Sequence, residues 1–451
     1  MEYKTLYEHT SIRRLIILAA LPSAIGMLVS SLYQILDGAF VGHILGAEAF
    51  AAINLVMPLV IINFSLADLV GVGSSVPIAH RLGQKDEKTA SNIFSSACLL
   101  IVLFGVLIGA ALYFLAPPIL RLMGAGDSLI RGSVEYLRVY ALSAPITTIV
   151  FAVDNYLRIC GKVHFSMAIN ILMSIICIGL EFLFLSVLGM GVGGAALGTC
   201  LGMFVCALIA FWPFWRGKMP LKFTRPRMNK NLLRDIFANG LPSFLNNLAG
   251  RVPSIIINVF LLRLGGAPAV AAYGVLMYID SVFQPILYGL CDSLQPAIGY
   301  NYGARQFQRV RAIRNACFMI CGILSALMLI AVFCARDGLV SLFVPPGETA
   351  LRALCSRALI LFALAYLTRW VAMVAQSYLS ALGQAGPATL LSVATALVFP
   401  LLALFCLAPL GLDGIWLNMP LSCLFAAALS LLFIARARRK LAAPLPTTAT
   451  E

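Results

Sequence analysis

Several ionisable side chains lie inside long apolar runs, where a charge is costly and seldom incidental. They are Asp37, Asp68, Asp154, Glu181, Asp280, Asp292, Arg138, Arg251 and Arg369. In the first half of the chain the deep groups are mainly acidic. Asp37 follows Tyr33 by one helical turn, and Glu181 follows Cys177 by one turn. Low dielectric disfavours ionisation of a carboxyl, and a second carboxyl nearby strengthens the effect. Two such groups together can take up and release a proton near neutral pH. Each could also be satisfied by neighbouring hydroxyls or amides for packing alone. Asp68 shares the apolar setting, and its role stays open. Asp154 has Arg158 four residues on, the spacing of an interfacial helix ion pair.

The second half is patterned differently. Asn247, Arg251, Ser254 and Asn258 fall on one helical face; so do Tyr273, Met277, Asp280, Gln284 and Tyr288, and again Tyr366, Arg369, Met373 and Gln376. Three polar stripes must face protein or water rather than lipid. Arg251, Arg369, Asp280 and Asp292 sum to no net charge, which suits an ion-pair cluster; direct contact with a substrate is the alternative. Tyr and Met on these faces would suit large flat cations, although any one aromatic could equally be core packing.

The elements that must carry these residues are membrane helices. About 61% of the 451 residues are apolar and 11% charged, against roughly 25% charged in soluble domains. Apolar runs of bilayer-spanning length are expected near 14–38, 50–76, 91–115, 133–156, 164–187 and 193–215, then 233–262, 270–298, 311–334, 353–380, 388–408 and 414–435. Between the two sets of six, an offset of 220 relates Leu21-Pro22 to Leu241-Pro242, Gly46-Ala47 to Gly266-Ala267, Gly83 to Gly303, and Gly191 and Gly194 to Gly411 and Gly414. Such an offset means a duplicated unit, and an even number of spans per unit makes the repeats parallel. The expected fold is therefore an all-α polytopic membrane protein of twelve helices in two six-helix lobes. Residues 1–215 form the N-lobe, 216–231 a basic linker, 232–440 the C-lobe and 441–451 a disordered tail. The deep charges do not obey the repeat: the offset carries Asp37 onto Ile257 and Asp280 onto Val60.

The net charge of +14 is explained by basic short loops on one side, so a nucleic-acid partner is not expected. Those loops put both termini in the cytoplasm, with Gly83 and Gly303 inside and His43 and Asp413 outside. No cleavable signal peptide is expected, and the first run reads as a mature helix. Twelve cysteines are scattered through the apolar runs without metal spacing, so they read as packing residues with no metal; a Cys334–Cys355 disulfide stays open. No nucleophile–base or metal constellation marks an enzyme.

The segment Gln295-Pro296-Ala297-Ile298-Gly299-Tyr300-Asn301-Tyr302-Gly303-Ala304 resembles a motif of the multidrug and toxic compound extrusion (MATE) family. Asp37-Gly38-Ala39-Phe40-Val41-Gly42, Arg81-Leu82-Gly83-Gln84-Lys85-Asp86, Asn155-Tyr156-Leu157-Arg158 and Met190-Gly191-Val192-Gly193-Gly194 add to it. The resemblance covers essentially the whole chain and is greatest to the MepA-like bacterial branch. It implies a monomeric antiporter in the bacterial plasma (inner) membrane, in contact with lipid, that expels organic cations such as drugs or dyes in exchange for H+ or Na+ and needs no cofactor. It also implies that Asp37 is the coupling carboxyl, that Glu181 fills an acidic position, and that Asn155 and Thr199 fill polar ones. Glu181 stands where Asp is commoner and Cys177 where Asn is usual. Losing an amide oxygen weakens a Na+ site, which tilts the expectation towards H+. A flippase for lipid-linked saccharides, from the same superfamily, is the alternative; it would need a wide basic cavity, and the acidic N-lobe argues against it.

Overall fold

The computed structural model describes residues 3–122 and 126–442, and among them every regular element is helical. Most of the expected disordered tail, from 443 onward, lies outside the described residues. Eleven stretches are long and apolar enough to cross a membrane. One of them, Lys230–Gly303, has 74 residues and would run about 110 Å if straight, far more than a bilayer core of ~30 Å. It turns at Gly266 (φ 64°, ψ −159°) and supplies two spans. The twelve spans are α1 (Ile12–Gly46), α2 (Glu48–Gly83), α3 (Glu87–Leu122), α4 (Asp127–Ile159), α5 (Val163–Val187) and α6 (Gly191–Trp215) in the N-lobe. The C-lobe holds α7 (230–265), α8 (267–303), α9 (Phe307–Ser341), α10 (349–381), α11 (Ala385–Leu410) and α12 (Leu412–Arg439).

The backbone keeps the 220-residue offset. Gly46, between α1 and α2, has φ 85°, and its counterpart Gly266 has φ 64°. Among the described residues, Lys85 (φ 64°) and Arg305 (φ 59°) are the non-glycine residues in the left-handed region. Each closes a helix by the same pair of bonds: Asp86 N donates to Arg81 O and Lys85 N to Leu82 O, while Gln306 N donates to Asn301 O and Arg305 N to Tyr302 O. These are Schellman caps. The left-handed conformation costs a residue with a side chain about 1–2 kcal/mol, and a cation at a helix C-terminus offsets up to about 1 kcal/mol of that. Asp86 then caps α3 through Thr89 N (3.0 Å). Hydrogen bonds from Thr89 hold its carboxyl below the usual carboxylate range.

Several helices depart from the expected regular runs. α10 is interrupted by a 3-10 turn at Leu364–Leu367 followed by Thr368. Wide π turns end α5 at Leu183–Val187 and interrupt α11 at Ala394–Val398. The hydrogen-bond ladder of α7 is interrupted at Gly250, three residues before Pro253, whose missing amide hydrogen removes one rung. The basic 218–228 stretch is laid along α3: Lys222 N, Thr224 N and Arg227 N donate to Ser91, Ser95 and Asn92.

The distribution of the core gives the molecule its shape. One apolar cluster, at the end carrying the basic loops, contains residues of both lobes, among them Leu82, Tyr156, Leu294, Tyr300 and Leu379. At the other end the lobes have separate cores. Val56, Leu120 and Leu137 belong to one; Leu261, Leu359 and Trp416 belong to the other. The basic end is closed by backbone contact. A Cβ on Gly83 would lie 2.1 Å from Tyr300 O, and one on Gly303 would lie 2.2 Å from His80 O, so α2 and α8 cross where neither tolerates a side chain.

Ahead of α1, Thr5–His9 forms a wide turn that stitches the lobes together. Tyr7 O accepts from Asn301 Nδ2 (3.0 Å) and Arg309 Nε (2.7 Å), and Thr10 O accepts from Arg309 Nη2. The Tyr7 hydroxyl donates to Arg158 O, and Tyr300 donates to Glu8 (3.2 Å). Further along, His80 Nε2 meets Ala381 O at 2.7 Å, and Asn247 Nδ2 donates to Asp68 at 2.9 Å. Among the described residues no cross-lobe hydrogen bond is formed beyond Asp68–Asn247 towards the far end.

Candidate functional site

Within the N-lobe, α1, α5 and α6 bring four of the candidate residues together. Gly198 and Gly202 let α6 lie against α5: a Cβ on Gly198 would sit 2.9 Å from Glu181 Cγ, and one on Gly202 2.4 Å from Cys177 Sγ. Glu181 is 1% exposed. Its Oε1 accepts from Thr199 Oγ1 (2.5 Å) and from the Tyr33 hydroxyl (3.0 Å). Its Oε2 is buried with no donor facing it. The half-buried Asp37 carboxyl lies within hydrogen-bonding reach of Glu181. Tyr136 of α4 is close to both carboxyls; sequence reasoning missed it, because nothing in its spacing points at α1 or α5. Two carboxyls in contact can share one proton, and the pair then titrates as a unit.

Two other candidates lie apart from this cluster. Asn155 donates to Phe151 O of its own helix (3.5 Å). Asp68 accepts from Asn247 across the lobe boundary. Asp154 pairs with Arg158 and also accepts from Ser166 and from Asn170 (3.0 Å).

The expected four-charge cluster of the C-lobe does not form as a unit. Asp280 and Arg369 pair inside the lobe, with Arg369 Nη1 2.8 and 2.9 Å from the two carboxylate oxygens, and the Tyr366 hydroxyl donates to Asp280 Oδ1 (2.9 Å). All three residues are buried. Asp292 instead lies near Arg158 and Asp154 of the other lobe. Arg251 is exposed. Gly250 interrupts the hydrogen-bond ladder of α7 but keeps helical dihedrals (φ −63°, ψ −16°), and Asn247, one turn before Arg251, donates to Asp68 of the other lobe. Tyr288 accepts from Asn246 (3.5 Å). Met277 packs on the C-lobe core, Met373 belongs to the shared core, and Gln284 is half-buried on α8.

Comparison with known proteins agrees with this architecture. The family model described as MatE matches residues 22–183 and 242–405. "Multidrug export protein MepA" of Staphylococcus aureus (strain N315) is 28% identical over 447 residues, 96% of each chain. "Multidrug export protein MepA" of Staphylococcus saprophyticus subsp. saprophyticus is 27% identical over 87% of this chain and 86% of its own. A structure described as "Outward-facing conformation of a multidrug resistance MATE family transporter of the MOP superfamily" superposes with a TM-score of 0.92 at 24% identity, over 98% of this chain and 99% of that one. A second, "Reverse polarity of binding pocket suggests different function of a MOP superfamily transporter from Pyrococcus furiosus Vc1 (DSM3638)", gives 0.91 at 25% identity over 98% and 99%. The two matched segments fall one in each lobe and together take in most of the chain, so the chain belongs to the MatE family and is a membrane transporter rather than an enzyme.

Proposed function

We propose that this protein is a proton-coupled exporter of organic cations that works by alternating access in a bacterial plasma membrane. The observation carrying the reading is the contact between Asp37 and Glu181, in a lobe whose core is separate from its partner's at the far end. The basic loops are the cytoplasmic side, so both termini are cytoplasmic. The lobes are closed there and parted towards the outside. Protonation and cation binding neutralise the same acidic pair and therefore compete. A cation arriving from the cytoplasm favours release of the shared proton, and a proton entering from outside displaces the cation. Tyr33 and Thr199, both bonded to Glu181, hold that carboxyl towards Asp37. The name and whole-length match of the staphylococcal relatives support export of drugs as the task.

Coupling to Na+ is the less favoured form of the same reading, because Cys177 offers sulfur where an oxygen ligand would be needed. The saccharide-flippase alternative needs uncompensated cations in the cleft, and Arg369, buried within the C-lobe, is neutralised by Asp280.

The test is dye efflux from cells lacking their own pumps, with and without a proton uncoupler and with Na+ withdrawn. Export that stops with the uncoupler and persists without Na+ is the expected result. Export that needs Na+ and ignores the uncoupler overturns proton coupling, and unchanged dye retention overturns drug export.

A further inference from the structure

Three of the cysteines read from the sequence as packing residues converge in the fold. Cys317 and Cys321 lie one turn apart on α9 and face Cys291 of α8. The three sulfurs all lie within 4.8 Å of one another, with Cys291 and Cys321 at 3.7 Å. All three side chains are at most 2% exposed, and no disulfide joins them. The cluster lies in the C-lobe, away from the Asp37–Glu181 pair, and the proposed transport reaction makes no use of it. Sequence spacing conceals it, since the third sulfur comes from a different helix.

Three convergent thiols make a soft, all-sulfur ligand set, which selects thiophilic ions. Burial then discriminates among them by charge. Three thiolates around a divalent ion leave a net charge of −1, and around a monovalent ion −2. An uncompensated charge in an apolar interior costs several kcal/mol, and a charged side chain close to the cluster, Asp292 by Cys317, is an acid and adds to that cost. A trivalent centre leaves no net charge. We propose that Cys291, Cys317 and Cys321 form a binding site for a trivalent metalloid, arsenic(III) or antimony(III), taken up as its neutral trihydroxide.

The exchange balances without an oxidant or reductant. Three metalloid–oxygen bonds break and three metalloid–sulfur bonds form. Each thiol proton leaves with one hydroxide as water, so the trihydroxide and three thiols give the tris-thiolate and three waters. Reactants and product are neutral, and no ion has to enter the apolar core. Asp292, next to Cys291 in sequence and close to Cys317, is half-buried towards the lobe boundary, which gives a small neutral solute a polar approach. Occupancy would bridge α8 to α9.

The test uses the full-length purified protein, reduced and then exposed to arsenite without oxygen. Desalted protein is expected to retain one arsenic per chain, with a mass gain of one arsenic less three hydrogens. Arsenic X-ray absorption should show three sulfur neighbours and no oxygen. This readout needs no variant and so survives any folding defect in one. Cys291→Ala, Cys317→Ala and Cys321→Ala should each weaken retention by at least about tenfold, and Cys334→Ala with Cys406→Ala should leave it unchanged. Arsenic bound through two sulfurs and an oxygen overturns the proposal. So does retention that depends on only two of the three cysteines, or that survives in the triple variant.

Discussion

In the N-lobe, Asp37 and Glu181 abut, with hydroxyl donors on one carboxyl and no ion pair to either among the described residues. In the C-lobe, Asp280 faces Arg369 at 2.8 Å and takes a third hydrogen bond from Tyr366. The two sites grew on the same duplicated backbone, as the paired left-handed residues Lys85 and Arg305 attest. One has no fixed counter-charge among the described residues; the other is balanced inside its own lobe. A compensated pair can hold helices together, because breaking it strands a charge. An uncompensated pair can exchange a proton for a cation, because neither form is complete on its own.

The largest effect is expected where compensation is removed. Asp280→Asn or Arg369→Met alone should cost about 3–5 kcal/mol by stranding a buried partner, and the double substitution should recover much of that. Thermal unfolding in detergent reads both; single and double variants of equal stability would mean that the pair does not act as a unit. Next comes the closed end, on which both lobes depend. Gly303→Val forces a side chain against His80 O and should destabilise by about 1–3 kcal/mol. It should also raise labelling of a cysteine placed at position 7 by a reagent admitted from the basic-loop side. Unchanged labelling would show that this crossing does not seal the molecule.

Smaller effects separate the members of the acidic site. Tyr33→Phe removes one of two donors to Glu181 and should cost about 1 kcal/mol, slowing dye efflux without abolishing it; a wild-type rate would remove Tyr33 from the site. Asp68→Asn should have the mildest effect on efflux, since Asp68 bonds Asn247 rather than the carboxyl pair. Complete loss of efflux in that variant would move the proton site to the lobe boundary.

The frame of this molecule is legible in its residues because it rests on local features. Apolar runs define the spans, and glycine pairs at a fixed offset mark the positions that need a left-handed turn or a helix crossing. Asp37 and Glu181 stand out because a carboxyl in an apolar run is conspicuous wherever it falls. What the sequence conceals depends on contacts between distant segments. Tyr7 and Thr10 act through backbone carbonyls that accept from Arg309 and Asn301, and a carbonyl has no residue signature. Asn247 shares a helical face with Arg251 in the sequence, yet its partner is Asp68, 179 residues away in the other lobe. Asp292 reads as a partner for C-lobe arginines, but α8 packs on α1 at Ser23 and Ala24, and Asp292 lies near Arg158 of the other lobe.

Proton release on cation binding tests the central contrast most directly. A lipophilic cation such as tetraphenylphosphonium is added to purified protein in weak buffer with a pH dye. Wild type and the Asp280→Asn/Arg369→Met double variant should both release protons. Asp37→Asn and Glu181→Gln, each expected to fold with a stability change of about 1 kcal/mol or less, should release almost none and pump no dye. Release at the wild-type level from both of those single variants would contradict the assignment of the exchangeable proton to the N-lobe pair.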